Sequence, residues 1–298
     1  MLDPLADGAL DAGPPVGRPG PVRRDGYSRA VPPTDHDHAP RSGPGSTPDD
    51  VAARLAAARG RVAAAARAAG RGPGDVRLLL ASKRMPVDVV RRAVVAGGTL
   101  LGENTVQELV AKAPDLTPLG AELHLIGHLQ SNKVNAALRW AHCVQSVDSL
   151  ALAERLSRRC VTTDRDLDVM VQVNVSGEDS KSGVAPDDAA ALAAQVAALP
   201  RLRLVGFMTI GASTDDESRV RAGFARLRRI RDEVLASGAP GTGDATELSM
   251  GMSGDLEIAV AEGATVVRLG TAVFGARPPQ PAQDADDDAD ADAAKRAP

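Results

Sequence analysis

The feature that most restricts what this chain can become is an eightfold alternation of short apolar runs with helical or turn sequence. The runs are Val76–Ser82, Gly98–Gly102, Leu123–Gly127, His142–Val147, Leu167–Val175, Leu202–Ile210, Thr246–Met250 and Ala264–Leu269. In the first, Leu78-Leu79-Leu80-Ala81 is apolar at consecutive positions. Such a strand buries both faces, as in a parallel sheet covered by helices. Between the runs, apolar residues recur at helical spacing: Val89, Val90, Ala93 and Val94 after Pro86, then Val106, Leu109 and Val110. Further helices are expected from Ser149 to about Cys160, Asp187 to Leu199, Ser218 to Leu235 and Asp255 to Glu262. One more precedes the first strand, from a cap at Thr47-Pro48-Asp49-Asp50 to about Ala69. Eight strands with crossovers read as a single (β/α)8 TIM-type barrel over residues 47–277. A doubly wound open sheet is the alternative. The count of eight favours closure, and a span of about 230 residues approaches the ~250 of such barrels.

Outside that span the pattern stops. Residues 1–46 are rich in Pro, Gly and Asp without apolar periodicity, and residues 278–298 carry Asp286-Asp287-Asp288 in a Pro/Ala setting. Both are expected to be disordered tails. His36 and His38 lie in the first, without the further ligands a metal site needs. Apolar residues make up 43% of the chain, ample for a core, but aromatics only 2%, so the filling must be aliphatic. A net charge of −4 and the lack of a basic stripe in the folded part give no case for nucleic acid. Cys143 and Cys160 lack metal spacing and read as buried filler in a reducing compartment. No apolar run approaches the ~20 residues of a membrane span, and the N-terminus has no signal-peptide core. A cytoplasmic protein is expected.

In a barrel of this kind, polar residues at the carboxyl ends of the strands converge on one mouth. Here those ends offer Lys83, Glu103-Asn104, His128, Asn174, Met208, Ser249 to Ser253 and Arg268 to Thr271. Each alone reads as a capped or solvated loop residue; their coincidence at one end is the signal. Lys83 closes an apolar strand just before the helix that starts near Pro86. Half desolvated there, a lysine loses its proton more easily and can attack a carbonyl to form a Schiff base. The turns Ser249-Met250-Gly251-Met252-Ser253-Gly254-Asp255 and Leu269-Gly270-Thr271-Ala272 put glycines and hydroxyls between a strand and a helix start. Backbone N–H groups at such starts bind phosphate, and the loops after strands 7 and 8 are where this barrel commonly holds one. A Schiff-base lysine across the mouth from a phosphate cup describes a site for a phosphorylated aldehyde, with pyridoxal 5′-phosphate (PLP) the candidate. The other reading of the same residues is a sugar-phosphate site with Lys83 as an electrostatic ligand.

Several motifs together resemble the pyridoxal-phosphate homeostasis proteins. They are Ala81-Ser82-Lys83, Gly102-Glu103-Asn104 with Gln107-Glu108, and His124 through Lys133. Val173-Asn174-Val175 with Lys181-Ser182-Gly183, Ser249 through Ser253, and Arg268 through Gly275 follow in the same order. The resemblance covers about Val51 to Arg277. It implies a barrel of the alanine racemase N-terminal type with Lys83 in Schiff-base linkage to PLP. It places Ser253, Gly270 and Thr271 at the phosphate, Arg268 at the pyridine nitrogen, and Asn104 and Met250 near the cofactor. Thr105 departs from the tyrosine more usual in the family, which bears on the pocket wall.

The family is regarded as binding and supplying PLP rather than turning over a substrate, and the residues agree. Racemisation needs a second acid on the face opposite the lysine, supplied in the racemases by a tyrosine from an additional β-domain. Here Gly275 is followed by the acidic stretch, and the sole tyrosine is Tyr27. Cys143, Cys160 and His128 are weak substitutes. A guanidinium at Arg268 would oppose protonation of the pyridine nitrogen and weaken the ring as an electron sink. The expectation is therefore a monomeric PLP carrier whose partners are PLP and PLP-dependent apoenzymes, with neither nucleic acid nor membrane. A minimal racemase or decarboxylase of the same fold is the alternative.

Overall fold

The computed structural model describes residues 48–178 and 181–276. The expectations placed on residues 1–46 and 278–298, including Tyr27, His36, His38 and the Asp286 run, lie outside the described residues. The eight strands are β1 (Arg77–Ala81), β2 (Leu100–Glu103), β3 (Glu122–Leu125), β4 (Cys143–Val147), β5 (Leu167–Gln172), β6 (Leu202–Met208), β7 (Glu247–Ser249) and β8 (Val266–Leu269). They pair in sequence order, all parallel, into a closed barrel. Closure is made by β8 on β1, with Val266 opposite Arg77 and Leu269 opposite Leu80.

Helices cover the outside: α1 (Pro48–Ala68), α2 (Val87–Val95), α3 (Val106–Leu116), α4 (Val134–Ala137), α5 (Leu150–Thr162), α6 (Ala189–Ala197), α7 (Glu217–Ala236), α8 (Leu256–Ala261) and α9 (Thr271–Phe274). The helix after β8 is a single turn. α1, from before β1, completes the ring by packing against α2, α8 and α9. Arg61 on α1 makes two 2.7 Å hydrogen bonds to Glu257 on α8, and Arg59 donates to the Ala96 and Gly97 carbonyls just past α2.

Two apolar layers follow from strand alternation. Outward residues such as Leu80, Leu101, Val144, Val169, Leu204 and Phe207 meet Val90, Leu109, Leu156, Phe224 and Leu227 of the helices in one continuous core. Inside the barrel the apolar residues form two smaller groups: Leu79, Leu100 and Val266, with Ile126 beside them, and Cys143, Met170 and Met208, with Val205. The space between these groups is polar. Both cysteines are free and buried, and burial pushes both thiols up.

Strand ends agree with the sequence reading to within three residues, and those at Val147, Leu167, Leu202 and Leu269 coincide with it. β5 stops at Gln172: Val173 keeps only an isolated bridge to Val184, and Asn174 turns away, its side-chain amide donating to the Glu178 and Lys181 carbonyls. α4 and α9 carry too few apolar repeats to show a helical period.

Candidate functional site

At the carboxyl end of the barrel a cavity of about 350 Å³ opens, within the usual range for small-ligand pockets. Its polar wall is Lys83, Asn104, Ser253, Arg268, Gly270 and Thr271. Its apolar wall is Ile126, Met208, Ile210 and Met252, the last two on the rim with 40% and 39% exposure. Six of the seven residues expected in the site thus share one cavity. Met250 does not line it. Ser249 faces inward, so its neighbour Met250 faces the helix layer, fully buried in the outer core.

Each wall has a local cause. Lys83 sits in the turn leaving β1, where Met85 N donates to Ser82 O. Asn104 is fixed from behind by Gly127, where a Cβ would come 2.0 Å from the Asn104 carbonyl oxygen. The loop after β7 turns on Gly251 (φ +92°), where a Cβ would meet Ala259 at 2.4 Å. That loop is tied to β8 by Arg268 N donating to Gly251 O, and to its own exit by Met252 N donating to Asp255 Oδ1. Ser253 and Gly254 are thereby brought beside Gly270 and Thr271, where α9 begins.

Arg268 is 5% exposed and bonds only to neutral oxygens: Ser249 O (2.8 Å), Ser249 Oγ (3.1 Å) and Thr209 O (2.8 Å). Burial pulls its guanidinium down to about 10, against the opposite pull of Asp255, so it stays charged at neutral pH. Behind it a hydrogen-bonded chain runs through the barrel interior. Ser249 Oγ donates to Gln145 Oε1 (2.7 Å), and Gln145 Nε2 lies 2.7 Å from His124 Nδ1. A side-chain amide nitrogen can only donate, so His124 accepts at Nδ1 and donates from Nε2 to Glu122 Oε1 (2.8 Å). Arg77 closes the chain on Glu122 at 2.7 Å, at the amino-terminal mouth.

Other strand-end residues lie elsewhere. His128 faces Asp148 at 3.8 Å and Asn174 holds its own loop. Lys181 donates to Glu178 and to the Gly211 carbonyl. Among the described residues Lys83 is the one lysine lining the cavity; Lys133 and Lys181 do not. Nor do Cys143, Cys160 or His128. Thr105 lies outside the wall as well: it caps α3, accepting from Glu108 N. Sequence reasoning missed the apolar wall residue Ile126, legible only as the last inward position after β3. It also missed Lys112, a buried residue of α3 whose charge disguised a core-facing helical position.

A closed parallel barrel with a strand-end lysine sharing one cavity with glycine turns after β7 and β8 is the architecture of the alanine racemase N-terminal domain, whose family model matches residues 53–278. Within that class, a pyridoxal phosphate homeostasis protein of Pseudomonas aeruginosa is 46% identical over 227 residues, 76% of this chain and 96% of that protein. The chain belongs to the pyridoxal phosphate homeostasis protein family. Two solved structures are similar. A Bifidobacterium adolescentis protein described as unknown has a TM-score of 0.73 at 42% identity, covering 76% of this chain and 95% of that one. PipY of Synechococcus elongatus, solved with PLP bound, has a TM-score of 0.66 at 37% identity, covering 76% of this chain and 100% of its own.

Proposed function

We propose that this chain binds PLP in the carboxyl-end cavity, holds it reversibly as a Schiff base on Lys83, and supplies it to PLP-dependent apoenzymes without robust turnover of its own. The binding unit is residues 47–277, acting as a cytoplasmic monomer. The observation that carries the reading is one cavity lined by Lys83 together with Ser253, Gly270 and Thr271. The residues fit the group. Two hydroxyls and a glycine turn suit a phosphate, the lysine suits an aldehyde, and a buried guanidinium bonded only to neutral oxygens suits an acceptor nitrogen. When bound, PLP supplies an electrophilic aldehyde and a pyridine ring able to take up electron density.

The protein's own groups favour holding over turnover. Arg268 has no carboxylate among its hydrogen-bond partners, so it presents a positive charge to whatever sits against it. Among the described residues the cavity wall carries no His, Cys, Asp, Glu or Tyr that could exchange a proton opposite Lys83. No helix among them is long and apolar enough to cross a membrane. An absorption spectrum tests the reading. Purified protein given PLP should show a visible band that borohydride bleaches, and Lys83→Ala should lose it while melting normally. A reducible adduct persisting in Lys83→Ala would move the site to another lysine.

A further inference from the structure

The turn that carries Lys83 is held from beneath by a buried cluster that has no part in the cofactor site as described above. Arg84, the next residue, adopts a left-handed backbone (φ +62°), unfavourable for any residue with a Cβ and kept only where the surroundings impose it. Here they do. Arg84 N donates to Glu108 Oε1 (2.5 Å), Ser82 Oγ to Glu103 Oε1 (2.7 Å), and Lys112 Nζ to Ser82 O (2.8 Å). Lys112 Nζ also reaches Glu103 Oε1 (3.0 Å) and Glu108 Oε1 (3.4 Å), closing the cluster on itself. Glu103 and Lys112 are only 1% and 7% exposed.

Burying a charged pair is costly, and a well-packed apolar pair of the same size is often as stable or more so. Stability therefore does not explain a lysine on the core-facing side of α3. Its hydrogen bonds do: Lys112 and Glu103 bond to each other and each also bonds to Ser82, the residue immediately before Lys83. Burial pushes the Glu103 carboxyl up to about 7 against the pull of Lys112 and Ser82. Its second oxygen, Oε2, is buried without a hydrogen-bond partner. The carboxyl thus gathers both its donors on the single oxygen that faces the turn.

Resting on the PLP reading, we infer that Glu103 and Lys112 are positioning residues, locking the turn after β1 so that Lys83 is presented to the aldehyde of a phosphate-anchored PLP. The step they serve is the addition of the Lys83 amine to the aldehyde carbon and departure of the carbonyl oxygen as water, with no change in oxidation state. Neither residue needs to touch the cofactor.

The test separates capture from docking with two probes, PLP and 4′-deoxypyridoxine 5′-phosphate, which has ring and phosphate but no aldehyde. In the double variant Glu103→Leu/Lys112→Met, the rate at which the visible band grows and the affinity for PLP should each fall at least tenfold. Affinity for the deoxy analogue should stay within twofold of wild type. Equal losses for both probes, or unchanged PLP capture, would overturn the inference. Should the double variant fail to fold, Glu108→Gln, at a partly exposed position, decides the matter. It should slow PLP capture about threefold and leave the analogue alone, and unchanged capture would again overturn the inference. Wild-type protein that binds the analogue yet forms no borohydride-reducible adduct with PLP would instead refute the reading on which the inference rests.

Discussion

At the scale of single residues, Thr271 and Glu122 show how differently two polar side chains act in one barrel. Thr271 opens α9 on the cavity wall, where a hydroxyl can add one charge-assisted hydrogen bond to a phosphate. Thr271→Ala should weaken PLP by about 1–3 kcal/mol. Affinity for unphosphorylated pyridoxal should hardly change, and equal losses in titrations with both would show that Thr271 does not read the phosphate. Glu122 lies at the other mouth and serves the fold. Hydrogen bonds from His124 and Arg77 hold its carboxyl down, from the ordinary 4.5 to about 2. A depressed carboxylate contributes stability above its unfolded pKa and loses it as pH falls toward the folded one. The wild-type urea midpoint should therefore drop more steeply between pH 4.5 and 2 than that of Glu122→Gln. Parallel profiles would show that the pairing with His124 and Arg77 adds nothing in solution.

At the scale of elements, the chain Arg268–Ser249–Gln145–His124–Glu122 ties β8, β7, β4 and β3 together across the interior. Gln145 is wholly buried and makes both of its bonds within the chain. Gln145→Leu fits the space but leaves the Ser249 hydroxyl without its acceptor and His124 Nδ1 without its donor. The expected cost is about 1–3 kcal/mol for each orphaned group, read by urea unfolding. A neutral result would mean the interior readjusts around the leucine. None of this chain was legible in the sequence, because Gln145 sits mid-strand with no motif, and its partners lie up to 104 residues away. The strands themselves were legible because their apolar residues, consecutive in β1 and alternating in β5, form short runs bounded by turns. The site residues at strand ends were legible for the same reason: a polar residue directly after such a run has only the mouth to face. Met250 marks where that reasoning fails, since alternation turns every second strand-end residue outward. Lys112 marks another limit, because a charge on the core-facing side of a helix declares its burial only once its partners Glu103 and Ser82 are in place.

For the whole molecule, the question is whether a barrel built this way would hold PLP or use it. Turnover at Cα requires an electron sink and an acid on each face of the cofactor. The first is opposed by Arg268, which stays charged beside the pocket and hydrogen-bonds only to neutral oxygens. The second would have to come from a proton-exchanging side chain other than Lys83, and among the described residues the cavity wall carries no His, Cys, Asp, Glu or Tyr. A proton that leaves Cα should then return mostly from the lysine side, so exchange would outrun inversion. In deuterated water with L-alanine, L-serine or L-lysine, the PLP-loaded protein should show negligible racemisation. Arg268→Glu, which favours a protonated ring nitrogen, should raise deuterium incorporation at Cα without producing comparable racemisation. Chiral chromatography with mass detection of Cα deuterium separates the two outcomes. Racemisation by the wild type with a kcat of about 1 s⁻¹ or more, an ordinary enzyme rate, would overturn the carrier reading and require an acid from outside the described wall.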